Sequence, residues 1–525
     1  MNETSALPGL RHYLPAAAPA ADRTEHDLVV HGATSGGVTA AVAAARAGAS
    51  VLLLAFGDHV GGLTTGGLGE TDVGRGECCG GLARDFYREV AAAYGAPDPH
   101  WRVESHVASE IYHRWLAEAG VTVLRRQHLA GVSMVDGRIT ALHTDDGATH
   151  VAPVYIDASY EGDLMAFAGV GHTYGREPAE AYGEDLAGVR HVGEHQFTRD
   201  VDPYAEPGNP SSGLLPGVVG EAYGTDGDGD RSVQAYNFRL HVTTAPDRIP
   251  YPRPEGYDPA RYELLRRYIA AGVYELYGRT TPVRGDVYDM NNHGAVSSDH
   301  IGANHDWPTA DHLRREEIFQ DHVRYQAGLL YFLANDPGLP AEVREKTREF
   351  GLVPAEFART AHWPPQLYIR EARRMVSDYV ITQADAAERE PVEDPVALAS
   401  YVMDSHNARR VVVDGRVRNE GNVQHPLKTP LGIPYRAIRP RVGECRNLLV
   451  ASAISASHVA FASVRMEPVF MMLGEAAGHA ARIAQEANVD VQAVDYETLR
   501  KELTRTGAVL SWPPSAADGE GGVKG

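Results

Sequence analysis

The chain has 525 residues, of which 43% are hydrophobic and 23% charged, and a formal net charge of −21 at pH 7. That length supports more than one core, two or three at roughly 100–200 residues each. The acidic excess argues against nucleic acid or an anionic membrane as a partner, because phosphate binding needs clustered Lys and Arg. No apolar run reaches the roughly 18 residues that span a bilayer, and the first residues lack the apolar core of a secretory signal. Three cysteines, Cys78, Cys79 and Cys445, fit a reducing compartment without a disulfide framework, and the 24 histidines show no metal-ligand spacing. The expectation is a cytoplasmic protein that acts on a small molecule and holds no metal. Homo-oligomerisation is left open.

In chain order, residues 1–25 are predicted to be a flexible or surface-draped arm. Leu28 to Val30 reads as a buried parallel strand, Gly32, Gly36 and Gly37 as a tight turn, Val38 to Ala47 as a helix of small residues, and Val51 to Leu54 as a second buried strand. Such a βαβ unit aims the free N–H groups of a helix N-terminus at whatever lies above the strand ends, which favours a pyrophosphate. Two positions depart from the G-x-G-x-x-G fingerprint. Thr34 replaces the middle glycine, and Ala55 stands where an acidic residue would hold the ribose hydroxyls. Asp58, three positions on, is the nearest carboxylate that could compensate.

Residues 80–94 and 104–119 read as helices, Val121 to Leu124 as a strand, and Ala130 to Val135 and Arg138 to Leu142 as a hairpin around Asp136-Gly137. The adjacent Cys78 and Cys79 are read as small residues in a tight turn, since vicinal cysteines rarely pair without strain. Val154 to Ala158 returns as a strand, and the Pro-, Gly- and Asp-rich 200–230 is loop. From 232 to 424 mixed strands and helices follow, including Pro259 to Ala271 and Ala310 to Leu333, too much for a loop. Asn447 to Ala451 resumes a buried strand and Val469 to Ala487 a small-residue helix. The Gly-rich end is read as disordered.

Several blocks, in order from about residue 26 to 485, carry a family resemblance. They are Gly61-Gly62-Leu63-Thr64-Thr65-Gly66-Gly67-Leu68-Gly69-Glu70-Thr71-Asp72, Asp157-Ala158-Ser159-Tyr160-Glu161-Gly162-Asp163, Gln234 to Leu240, Asn291-Asn292-His293-Gly294, Tyr368 to Met375, Ser455 to Ala460, Arg465-Met466-Glu467-Pro468 and Gly474 to Gly478. Together they resemble the FAD-dependent oxidoreductase family that includes the xanthan-lyase-like flavoproteins. The resemblance implies an α/β fold: a Rossmann-like FAD-binding domain of the glutathione-reductase type with an inserted α+β substrate domain. The implied FAD domain is discontinuous, 26–195 and 425–510, with 196–424 as the substrate domain and 511–525 as a tail. FAD is the implied cofactor. Its implied contacts are Gly32, Thr34, Ser35, Gly36, Gly37, Gly61, Gly62, Thr64, Thr65, Asp157, Glu161 and Gly474. In this family Thr at position 34 is common, an acid at Ala55 is usual, and relatives often carry Cys where His241 stands, so the resemblance implies an altered substrate.

Removing hydride from a C–H beside an O–H or N–H requires a base for the heteroatom proton, and His is the usual choice. His458, just past the strand that returns to the cofactor, ranks first, His293 second and His406 third. Arg465 is expected to orient substrate or to pair with Glu467. Tyr368, Arg370, Arg373 and Arg374 read as one face of a helix, with the arginines neutralised by Glu371 or Asp378 or else holding an anion. The helix with Gly474 and Gly478 is expected to aim its N-terminus at the flavin or to pack closely on the sheet, or both. The expected activity is FAD-dependent oxidation of a sugar, polyol, amine or similar polar molecule. The alternatives are a C=C reductase of the fumarate-reductase type and a relative that binds a ligand without cofactor.

Overall fold

The computed structural model describes residues 5–15, 22–191, 194–274, 279–386 and 392–513. Most of the predicted tail therefore lies outside the described residues. The first elements are β1 (Arg23–Glu25), β2 (Leu28–His31), α1 (Ser35–Arg46), β3 (Val51–Leu54), α2 (Gly81–Tyr94), α3 (Ser105–Glu118) and β4 (Thr122–Leu124). A second group follows: β5 (Leu129–Val135), β6 (Arg138–Thr144), β7 (Thr149–Val151) and β8 (Val154–Asp157). Then come β9 (Leu240–Thr243), β10 (Thr280–Arg284), β11 (Val287–Met290), α4 (His312–Asn335) and β12 (Gly351–Leu352). The chain closes with β13 (Leu448–Val450), α5 (His458–Val464) and α6 (Glu467–Ala487).

The central sheet has the order β13-β8-β2-β3-β4, and every pair in it is parallel. Apart from the partly exposed edge strand β4, its strands are wholly buried runs such as Leu-Val-Val and Val-Leu-Leu-Leu, because α1 and α6 cover one face and the β5–β6 hairpin packs on the other. A strand from residue 448 beside one from residue 154 makes this unit discontinuous in sequence. The β5–β6 hairpin turns through Asp136 and Gly137, with φ of +48° and +70°, the left-handed pair that a two-residue turn matching strand twist requires. A second, antiparallel sheet, β10-β11-β9-β12, lies in the stretch between, and a separate apolar cluster gathers around Tyr268, Phe332 and Leu333.

Helices α1 and α6 cross with their backbones in close approach. A methyl group at Gly474 would sit 2.0 Å from the Gly36 carbonyl oxygen, one at Gly36 2.7 Å from the Phe470 oxygen, and one at Gly478 2.5 Å from the Ala40 oxygen. Thr39 Oγ1 donates across the crossing to the Met471 carbonyl at 2.7 Å. Gly474 thus lies two turns inside α6 and packs that helix on α1, whereas the close packing was expected on the sheet.

Two expectations require correction. Residues 5–15 are not draped over the surface. Ala6, Leu7 and Leu10 are buried, because three apolar side chains close together supply an anchor and α4 supplies polar partners for the backbone. The segment around Tyr368 to Arg374 is not a helix but extended chain, bridging Asn237 at Tyr368 and Thr173 at Arg374. Its arginines consequently diverge. Arg370 meets Asp299 at 3.0 Å, Arg373 meets Asp163 at 2.7 Å, and Arg374 pairs with Glu371 and Glu177. Separate buried carboxylates favour this arrangement over a helix face carrying three like charges. Asp378 turns to Arg439 instead, at 3.4 Å.

The glycine crossing yields a first expected outcome. Gly474→Val destabilises the fold by about 1–3 kcal/mol through overpacking against rigid backbone. The control is Gly131→Ala, which meets nothing within 4 Å. Thermal denaturation of the two variants checks this; equal midpoints would show that the helices can separate freely.

Candidate functional site

The turn between β2 and α1 is built from backbone constraints. Gly32 has φ +96°, and a Cβ there would lie 2.5 Å from the Ser159 nitrogen. A Cβ on Gly37 would lie 1.9 Å from the Gly32 oxygen. Thr34 tolerates the middle position because its backbone is extended and its side chain turns inward, donating to Ala158 O at 2.7 Å and accepting from Gly37 N at 3.2 Å. The first turn of α1 carries no acidic side chain, so its positive end is left for an anion.

Above this turn opens a cavity of about 720 Å³, within the roughly 300–1,000 Å³ typical of ligand sites. Its lining joins Gly32 and Thr34 to Phe56, Gly62, Glu161 and Arg315. His31 also lines it, a polar residue closing an otherwise aliphatic strand. Its Nδ1 has no hydrogen-bond partner and lies 3.6 Å from Asp157 Oδ1. Burial pulls the His31 pKa down, but Asp157, with Asp163 and Glu161, more than offsets this and raises it above 6.5. The cavity thus offers a glycine turn, a helix end with no acidic side chain in its first turn and a buried imidazole whose pKa its carboxylate neighbours raise. This set fits the pyrophosphate of a dinucleotide.

Other expected contacts divide by position. Gly61, with φ +104°, donates to Ala33 O at 2.7 Å and brings the second glycine pair against the turn. Ser35, Gly36 and Gly37 form the first turn of α1. Thr64 donates to Glu467 Oε2 at 2.7 Å, and Thr65 to Val60 O at 2.7 Å, so both side chains are spent on the fold. Asp157 is wholly buried, accepting from Ser159 and from Met165 N at 2.9 Å, and acts by shaping the loop that carries Glu161. Asp58 lines the cavity, but Arg126 already donates to it twice, at 2.9 and 2.6 Å. His31, Asp163 and Arg315 were not singled out in the sequence as site residues, since their placement depends on strands and helices far apart in the chain.

A second, narrow cleft is lined by Asp72, Arg239, Asn291, Tyr368, Arg370, Asp404, His406 and Arg465, among others. Its free volume is about 10 Å³, room for a single water, so larger molecules enter only as side chains move. It adjoins the large cavity: Gln366 lines one and Tyr368 the other, and two residues of extended chain span about 7 Å. In the cleft His406 Nδ1 contacts Asp299 Oδ2 at 2.6 Å, leaving Nε2 toward Asp404 Oδ2 at 3.6 Å. Burial alone would raise Asp299, but Arg370 and His406 hold it at about 2. Arg465 donates to the Tyr368 hydroxyl at 2.7 Å and to Asp404 O at 2.7 Å, not to Glu467.

His458 lines neither space. Its Nδ1 meets Glu371 Oε2 at 2.8 Å and its Nε2 meets Ser405 Oγ at 3.2 Å, and burial with the nearby Arg374 lowers its pKa to about 3. Its place at the start of α5 turns it into this closed network rather than toward the cofactor cavity, which corrects its first ranking as base. His293 is not among the residues that line the cleft, and its ring lies 6.4 Å from that of His195. His241 lies between Ser105 and Glu356, outside the cleft lining. The three cysteines are free and buried, and burial pushes the thiols of Cys78 and Cys79 up to about 11 and about 12. Among the described residues no cluster could hold a metal ion, and no helix is long and apolar enough to cross a membrane.

The FAD dependent oxidoreductase family matches residues 27–503, nearly the whole chain. The chain belongs to this family, is an enzyme of it and takes FAD as its cofactor. No curated protein matches the sequence. Among solved structures, a geranylgeranyl bacteriochlorophyll reductase-like protein from Thermoplasma acidophilum is 12% identical, aligned over 91% of this chain and 82% of that one, with a TM-score of 0.34. The flavin-dependent brominase Bmp2 is 19% identical over 30% of this chain, with a TM-score of 0.24, and the match spans only 42% of the brominase. L-proline dehydrogenase from P. horikoshii is 14% identical over 30% of this chain and 59% of that one, with a TM-score of 0.25. At these scores the likenesses carry no argument beyond the family match.

Two histidines buried outside both spaces make stability depend on pH. Folded His458 takes up a proton only near pH 3, whereas its unfolded counterpart does so near 6.5. Between those values the unfolded chain binds the extra proton, so stability falls as pH drops below 6.5. His322, also lowered to about 3 by burial, adds in the same direction. Thermal midpoints are expected to fall from pH 6.5 toward 4, with a shallower decline in His458→Gln. An unchanged slope in that variant would show that His458 titrates normally.

Proposed function

We propose that the protein is an FAD-dependent dehydrogenase or oxidase acting on a neutral polar molecule such as a sugar or polyol. In this reading FAD lies in the large cavity, in a domain of the glutathione-reductase type, and residues 196–424 form the substrate domain. The observation that carries the substrate class is the charge balance of the cleft. Arg239, Arg279, Arg370 and Arg465 line it with Asp72 and Asp404, and two further carboxylates behind the lining complete the balance, with Arg239 on Asp289, Arg370 on Asp299 and Arg465 on Asp404. Matched charges leave no cationic excess for a dicarboxylate of the kind a fumarate-reductase-type enzyme would bind. They do leave unpartnered buried donors and acceptors, Arg239 Nε, Arg370 Nε, Asn292 Oδ1 and Asp404 Oδ1, which hydroxyl groups can satisfy.

When bound, FAD supplies the two-electron acceptor. The chain supplies the proton path and the positioning. His406, with Nδ1 held on Asp299, keeps its other ring nitrogen available to take the hydroxyl proton as the adjacent C–H is oxidised. Asp299 orients the ring and stabilises the imidazolium that forms. Tyr368, fixed by Arg465, and Asn291 position the remaining hydroxyls. Arg465 therefore acts through Tyr368 and Asp404.

The test is anaerobic mixing of the yellow protein with a panel of polyols and sugars, and separately of the reduced protein with unsaturated dicarboxylates. Bleaching of the flavin by a polyol or sugar is expected. His406→Gln should slow that bleaching by about 10²–10⁴-fold while the flavin stays bound. Reoxidation by an unsaturated acid, with no bleaching by any polyol or sugar, would reverse the assignment.

A further inference from the structure

The family match begins at residue 27, yet Gly9, Arg11 and His12 line the large cavity. Their segment is firmly seated. Ala6 N donates to Gln320 Oε1 at 2.8 Å, Gln320 Nε2 donates to Leu10 O at 2.9 Å, and the His12 and Tyr13 nitrogens both donate to Glu316 Oε2 at 2.8 Å. These contacts hold the His12 ring stacked on Phe56, with centroids 4.5 Å apart and planes at 23°, and beside Phe319 and Trp307. Phe56 directly follows Ala55, the position that lacks the ribose-binding acid.

His12 has a further property that matters. Its Nε2 is shielded from solvent and has no hydrogen-bond partner. Burial, reinforced by Arg315, His312 and His128, lowers its pKa well below 6.5 and keeps the ring neutral. A neutral imidazole carries one acceptor nitrogen, the capability that a carboxylate would otherwise bring to a ribose. Asp58, the other group near this end, is occupied by Arg126.

We propose that residues 5–13 form a wall of the cofactor cavity, in which His12 supplies the hydrogen-bond acceptor for the nucleotide's ribose hydroxyls that Ala55 cannot. This rests on FAD occupying that cavity. The wall lies outside the family's matched segment.

The test strips the flavin and titrates the apoprotein with FAD and with FMN, which lacks the adenosine half. Wild type, His12→Phe, which keeps the stacking but not the acceptor, and His12→Gln, which restores an acceptor, are compared. Loss of one hydrogen bond predicts FAD binding weakened about three- to tenfold in His12→Phe, largely recovered in His12→Gln, with FMN affinity unchanged. Equal apoprotein thermal midpoints are expected for all three. FAD affinity in His12→Phe equal to wild type, or an equal loss for FMN, would overturn the proposal. Failure of wild-type apoprotein to take up FAD would instead overturn the cavity assignment beneath it.

Discussion

The arrangement depends on how closely two helix backbones and one strand can approach. Gly36 and Gly474 let α1 and α6 touch carbonyl to Cα, and Gly32 and Gly37 let the turn fold against the Ala158–Ser159 backbone. Any side chain at these positions would push the N-terminus of α1 off the axis of β2. The anion-binding end of that helix would then no longer face the cavity. Packing and binding are therefore one constraint, met from opposite ends of the chain.

Around that scaffold the protein handles buried charge by local pairing. Asp163 is shared by Arg315 at 2.5 Å and Arg373 at 2.7 Å, and Arg176 by Asp230 and Glu420. An unpaired guanidinium at this depth would cost several kcal/mol, so these three are met by carboxylates, and Arg410 by Asn419 and the Ala295 carbonyl. At the cleft the same rule removes net charge while leaving hydrogen-bonding groups unspent, which is the property that favours a neutral, hydroxyl-rich ligand over an anion. His31, buried at the cofactor cavity, instead meets carboxylates that raise its pKa.

The parallel sheet, its turn and the β5–β6 hairpin were legible in the sequence because each rests on local signals: apolar runs, glycine spacing and Asp136-Gly137. The Tyr368 to Arg374 stretch was not. Its residues have good helix propensity, and what holds them extended is pairing with Asn237 and three separated carboxylates, contacts between residues far apart in the chain. The same distance hid the first segment. Leu7 and Leu10 are ordinary apolar residues until α4 presents Glu316 and Gln320 to the backbone around them. Among the histidines, position along the chain favoured His458, whereas the fold closes it into a network with Glu371 and Ser405 and brings His406 to the cleft.

The claim that ties these observations together is that FAD occupies the cavity above the β2–α1 turn. Backbone hydrogen exchange of the apoprotein with and without FAD tests it most directly. FAD should slow exchange at residues 32–38, 56–62 and 158–163, leaving the outer β5–β6 hairpin unaffected. Protection confined to other parts of the chain, or none at these three segments despite full loading, would contradict it.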